Sequence, residues 1–240
     1  MKTKKFLFYL LAAVLAGCVP VMSLHPLYTE GDIIFEEKLL GTWVDDSNET
    51  IWEFKRVVDE SEKAIEFKRP DRPENAYKLL FHNNKDGAKG LFFAHLVKLE
   101  NMLFLDVCPS QLPCAPKDPN EFQFYNIFFL VPVHTFIRVD SVEPRLKMRL
   151  TDDDGMKKLL AEDPNVVKYE LADDKLILTA STKELQAFVL KYADNNRVFS
   201  NEVVLSRKKP KDPNDNDPNA VDPNLLDPNN ADPNEVSKIE

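Results

Sequence analysis

The sequence predicts a mainly β protein of the α+β class: an antiparallel β-barrel with two short added helices and a disordered C-terminal tail. Three observations point there. Short apolar runs, LLGTWVDD, ETIWEFKRV, KAIEFKR, NAYKLLFHN, GLFFAHLVKLE, MLFLDVC, NIFFLVPVHTFIRVD and RLKMRLT, follow one another at about 10-residue spacing, separated by turn-forming clusters such as DDSN and NNKDG. Inside the runs apolar and polar residues alternate with a period of two, the mark of half-buried strands. Two later stretches change to the helical period, and beyond Arg207 almost no apolar residues remain to build a core.

The strands begin near Leu39. Ile65 and Phe67 alternate with Glu66 and Lys68; Tyr77, Leu79 and Phe81 share another face; Leu146, Met148 and Leu150 alternate with Lys147 and Arg149. Glu100-Asn101, between two strand-like runs, fits a tight hairpin turn. Sequential short strands joined by short turns form a meander, and its apolar face is buried only when the sheet closes or meets a second sheet. Closure into a barrel is the expected solution.

Helices are expected near 153–162 and 182–193. The first lies in DDDGMKKLLAED, with acidic residues in the opening turn, where they complement the helix dipole, and Pro164 just past the end. The second opens on a capping box, Ser181 with Glu184, and repeats Leu185, Phe188, Val189 and Tyr192 on one face. That face should cover a barrel end or an open seam, beside the strands KLILTA and NEVVLS that flank it.

Gly41-Thr42-Trp43 stands at the entrance of the strand array, with Trp52 nine residues later. This opening resembles the G-x-W of lipocalin-like barrels, where the tryptophan plugs one end and packs against an arginine from near the last strand. The resemblance implies a lipocalin-like β-barrel over residues 36–207, with Trp43 as plug after Gly41 and with Arg207, which ends EVVLSR, as its partner. The T-D-Y pattern of that family is absent.

The N-terminus carries a different signal. Lys2, Lys4 and Lys5 precede an apolar run of 11 residues from Phe6 to Ala16, and Leu15-Ala16-Gly17-Cys18 closes it. The run is too short for a membrane helix, which needs about 20 residues. The layout is similar to the signal and lipobox of bacterial lipoproteins. That resemblance implies that residues 1–17 are removed and that Cys18 is acylated on sulfur and then on its new terminal amine. Two or three acyl chains make a durable anchor. Val19 stands where an aspartate would resemble the inner-membrane retention signal of Gram-negative lipoproteins, so the expected location is the outer membrane, facing the periplasm. Residues 18–35 are expected as a membrane-proximal tether.

Losing residues 1–17 removes three lysines and no acid, taking the formal charge from −9 to −12. So acidic a chain, with no basic patch, is unsuited to nucleic acid, whose binding needs clustered Lys and Arg. Cys108 and Cys114 bracket PSQLP and, in an exported protein, are expected to pair as a disulfide that fixes a local turn. No Cys-x2-Cys or His-x3-His spacing accompanies them, and no metal or cofactor is expected.

Asp-Pro-Asn begins at 212, 217, 222, 227 and 232 and occurs singly at Asp118 and Asp163. Proline at every fifth position breaks a helix and removes sheet donors, so residues 208–240 are expected to be an extended, solvated tail. Histidines at 25, 82, 95 and 134 are scattered, and no nucleophile elbow, phosphate loop or dinucleotide fingerprint occurs, so no catalytic residue is assigned. Phe92, Phe93, Phe104, Phe122, Phe124, Phe128, Phe129 and Phe136 concentrate in one region, on both faces of their strands. Either they form a core on one side with covering helices on the other, or they line a pocket for a small hydrophobic ligand within the barrel. The expected function is a lipid-anchored envelope protein of binding or accessory type, holding such a ligand or meeting other envelope proteins. The alternative is an envelope hydrolase using His95 or His134 with nearby carboxylates.

Overall fold

The computed structural model describes residues 21–57, 72–110 and 131–208. In chain order the strands are β1 (Met22–Ser23), β2 (Ile33–Ile34), β3 (Gly41–Val44), β4 (Thr50–Arg56), β5 (Ala76–Asn83), β6 (Lys89–Leu99), β7 (Met102–Pro109), β8 (Thr135–Ser141), β9 (Leu146–Thr151), β10 (Tyr169–Ala172), β11 (Lys175–Leu178) and β12 (Phe199–Arg207). Helix α1 spans Asp153–Glu162 and α2 spans Thr182–Tyr192. The run KAIEFKR, residues 126–130, residues 1–20 and the tail from 209 lie outside the described residues.

Eight strands close a ring in the order β3-β4-β5-β6-β7-β8-β9-β12, every pairing antiparallel. Sequence neighbours are spatial neighbours except where the α1–α2 segment intervenes between β9 and β12. The ring shuts where Arg207 stands opposite Trp43. At the expected β6–β7 hairpin Leu99 faces Met102, and Glu100 takes a left-handed φ of 53° that fits a two-residue turn.

Alternation assigns each strand an inward set. Trp43, Trp52, Phe54, Tyr77, Leu79, Ala94, Leu96, Leu105, Val107, Ile137, Val139, Leu146, Met148 and Leu205 form one continuous buried cluster, the barrel core. Leu39, from a single 3-10 turn over Glu37–Leu39, joins it, and its carbonyl accepts the Trp43 indole N–H at 2.8 Å. Trp43 is fully buried. The Arg207 guanidinium lies 4.3 Å from its ring centroid and donates to the carbonyls of Leu40, at 2.7 Å, and of Lys38. The pair suggested by the G-x-W resemblance is therefore in contact. Glycine suits position 41 because its φ is +113°, where other residues are strained, and a Cβ there would lie 2.8 Å from the Arg207 guanidinium and displace it.

Strands β6, β7 and β8 are apolar on their outer faces as well. Val97, Leu99, Phe104 and Phe136 join Leu185, Phe188 and Val189 of α2, Met156, Leu159 and Leu160 of α1, and Phe199 in a second buried cluster outside the barrel. Both helices fall where the period placed them. The α2 face covers the side wall of the barrel, however, and not an end or a seam, because the wall presents its own apolar residues there. Arg138, pointing outward from β8, ties down the end of α2 by donating to the Ala193 carbonyl at 2.5 Å and to Asp194 at 2.6 Å.

The described part of the expected tether, residues 21–35, is built into the body. Val21, Leu27, Tyr28 and Ile33 are buried in the outer cluster, β1 pairs in parallel with β11 in a small sheet ordered β1-β11-β10, and β2 pairs with β6. The physical reason is the outer apolar surface of β6–β8, which the segment covers. Phe35 stacks on Tyr77 with ring centroids 4.7 Å apart, and the Tyr77 hydroxyl accepts the Glu36 N–H at 2.7 Å and donates to its carbonyl at 3.2 Å.

Gly41→Ala is expected to destabilise the fold by about 1–3 kcal/mol, through a strained φ and a displaced arginine, read as a lower urea midpoint. Burial pushes the Tyr77 phenol up to about 12, from the ordinary value of 10.0. Its neutral form is favoured by folding, so the contribution is whole below pH 10 and is lost as pH rises from 10 through about 12. Denaturation midpoints across that range should fall in the parent and fall less in Tyr77→Phe.

Candidate functional site

The barrel interior is the first place to seek a pocket, and it is occupied by the protein's own side chains. Trp43, Tyr77, Phe54, Leu39, Leu79, Leu96, Leu105 and Leu146 are among the largest fully buried groups in the molecule, and all belong to this core. An eight-stranded barrel is just wide enough for its side chains to fill, and two tryptophans, a phenylalanine and a tyrosine at adjacent strand positions do so.

Polar chemistry is concentrated outside the barrel, beneath the N-terminal segment. Asp106 sits in mid-β7, opposite His95 of β6 and Phe136 of β8, on the outward face and 1 % exposed. A carboxylate so buried needs strong partners. One oxygen accepts the Leu27 backbone N–H at 2.7 Å and the other lies 2.6 Å from His134 Nδ1. That contact places the imidazole hydrogen on Nδ1, because a carboxylate can only accept. Tyr28 completes the cluster, with its ring centroid 4.5 Å from that of His95 and 6.5 Å from that of His134. Backbone bonds between Ser23 and His134, both 2.8 Å, fix the histidine against the segment.

This arrangement ties residues 23–28 to the barrel wall. It supplies the carboxylate–histidine pair that the hydrolase alternative requires, with Asp106 as the carboxylate, but it offers no hydroxyl nucleophile at Ser23. That hydroxyl is buried, donates to the His25 carbonyl at 2.8 Å and accepts the His25 N–H at 3.2 Å.

The described residues also form a surface groove of about 400 Å³ along α2, lined by residues 164–168 and by Glu184, Ala187, Phe188, Lys191 and Tyr192. Its floor is apolar and its rim charged. Lys168 and Glu184 pair across it at 2.7 Å, and Glu184 also closes the capping box by accepting the Ser181 N–H at 2.8 Å. The Lys168 ammonium, with the Ser181 hydroxyl and N–H, holds the Glu184 carboxyl down to about 2. Neither His95 nor His134 lines this groove.

Of the residues singled out in the sequence, Gly41, Trp43 and Arg207 come together at the barrel end, and His95 and His134 meet around Asp106. Cys18 and Cys114 lie outside the described residues; Cys108 is half-buried near the end of β7, opposite Phe93. The acids of TDDDG start α1: the Asp152 side chain accepts the Gly155 N–H at 2.9 Å, and Asp153 pairs with Lys157 at 2.6 Å. Among the described residues no group of three or more His, Cys, Asp or Glu is arranged to hold a metal ion, and no helix is long and apolar enough to cross a membrane. Asp106 was not singled out in the sequence. Its signal was present all the same, an acid inside the apolar run MLFLDVC.

Fold and site together define a small closed antiparallel β-barrel protein with an apolar side-chain core inside and an outer helical layer. Compared with family models, with curated proteins and with solved structures, the chain matches none.

Asp106→Ala is expected to cost about 3–5 kcal/mol, because it removes the acceptor of two buried hydrogen bonds and leaves the Leu27 N–H and the imidazole unpaired. His134→Gln should cost less, about 1–2 kcal/mol, since the amide can still donate to Asp106. Equilibrium urea unfolding of the two variants beside the parent checks the order.

Proposed function

We propose that this protein is a lipid-anchored component of the bacterial envelope, of binding or accessory type, fastened through Cys18 and acting through its outer surfaces. The observation that carries this reading is the filled barrel. With Trp43, Trp52, Phe54 and Tyr77 inside it, the barrel serves as a rigid scaffold, which favours the interaction role over the carrying of a ligand inside. The α2 groove is the surface offered to partners. The lipobox-like LAGC supports the anchor, and the missing aspartate after Cys18 supports the outer membrane, with the body in the periplasm.

Two measurements test the reading. Intact-mass analysis of protein from a bacterial envelope should give a chain starting at Cys18 with two or three acyl groups, and Cys18→Ala should move the protein from the membrane to the soluble fraction. Native mass spectrometry of the mature chain, followed by solvent extraction, should release no stoichiometric apolar molecule. A retained ligand would replace the interaction role with a carrier role.

A further inference from the structure

The chain between anchor and body is short enough to decide which face meets the bilayer. Only Val19 and Pro20 separate Cys18 from Val21. Three residue steps reach at most about 11 Å when fully extended. Val21 is not free to lengthen the link: it is 2 % exposed, and its N–H donates to Thr151 Oγ1 at 3.3 Å. Immediately after it, Met22 and Ser23 are locked in register with Ile177 and Leu178 of β11.

The sheet so reached has two unlike faces. Val21, Ser23, Leu176 and Leu178 point into the outer core. Met22, Leu24 and Ile177 alternate to the other side, Met22 beside Ile177, with Leu24 42 % exposed. Lys175 of β11 shares that side, and so, by the β10–β11 register, does Glu170.

We propose that this outer face of the β1-β11-β10 sheet rests on the phospholipid surface, with Met22, Leu24 and Ile177 at the headgroup boundary and Lys175 toward the phosphates. The proposal rests on acylation of Cys18. A lipid surface is the occupant because the anchor holds the bilayer within about 11 Å of Val21, closer than the width of an intervening domain. The α2 groove and the barrel are then presented in a set orientation, in place of swinging on a tether.

The test uses the full chain, matured in a bacterium and reconstituted into vesicles of phosphatidylethanolamine and phosphatidylglycerol. Benzoylphenylalanine is placed singly at Leu24, at Ile177 and, as control, at the exposed Lys55 on β4, across the ring from β8. After irradiation, mass spectrometry should find lipid adducts several-fold more abundant at 24 and 177 than at 55. A 20-residue Gly/Ser spacer after Val19, which extends to about 25 Å on average, should bring them down to the level at 55 with the acyl mass unchanged. Acylated protein whose adducts at 24 and 177 do not exceed those at 55 overturns the docked face alone. A Cys18 without acyl chains overturns the anchor, and the docked face with it.

Discussion

Strands β6, β7 and β8 carry apolar side chains on both faces, and burying both is the constraint that organises the molecule. The inward set, with Leu96, Leu105 and Ile137, is covered when the sheet closes on itself. Closure does nothing for Val97, Phe104 and Phe136 on the outside, which at about 25 cal/mol per Å² would leave a large unfavourable surface in water. The chain answers by laying both helices and residues 21–33 over that wall. The architecture is thus a barrel with a second core outside it, and the two cores share the strands between them.

A buried carboxylate in the shared wall fixes how the outer layer is seated. Apolar contact is non-directional and would accept the N-terminal segment in several registers. Asp106 accepts only where the Leu27 N–H and His134 Nδ1 converge, so one register satisfies it and others strand a charge. Arg138 acts in the same way at the other edge, holding the C-terminal end of α2 through Ala193 and Asp194. Directional polar contacts select one arrangement out of those that burial alone allows.

The same packing sets the α2 groove and the small sheet outside the barrel. Inside the barrel Trp43, Leu39, Phe54, Tyr77 and Leu79 are buried in one cluster, with the Arg207 guanidinium over the Trp43 ring at one end. What lies outside includes the α2 groove with its Lys168–Glu184 rim, and the small sheet whose first strand begins at Met22. The segment expected as a spacer, residues 21–35, is instead packed into the body.

Period-two alternation in GLFFAHLVKLE, MLFLDVC and RLKMRLT, the turn at Glu100-Asn101 and the capping box at Ser181 were local properties, and they made the strands, one hairpin and both helices legible in the sequence. Trp43 with Arg207 was legible only through a resemblance. The candidate site was much less so: His95, His134 and Asp106 lie far apart in the chain, and only the β6–β7–β8 register brings them together. Residues 21–35 looked like a linker because their apolar side chains follow no regular period, and an irregular segment declares its burial only through the surface it meets. Sequence alone determined where the chain alternates, turns and caps, because those depend on neighbours within a few residues. Tertiary structure alone decided which aromatic side chains meet inside the barrel, that the helices cover its wall and that residues 21–35 are part of the body, because these depend on which distant surfaces are left to be buried.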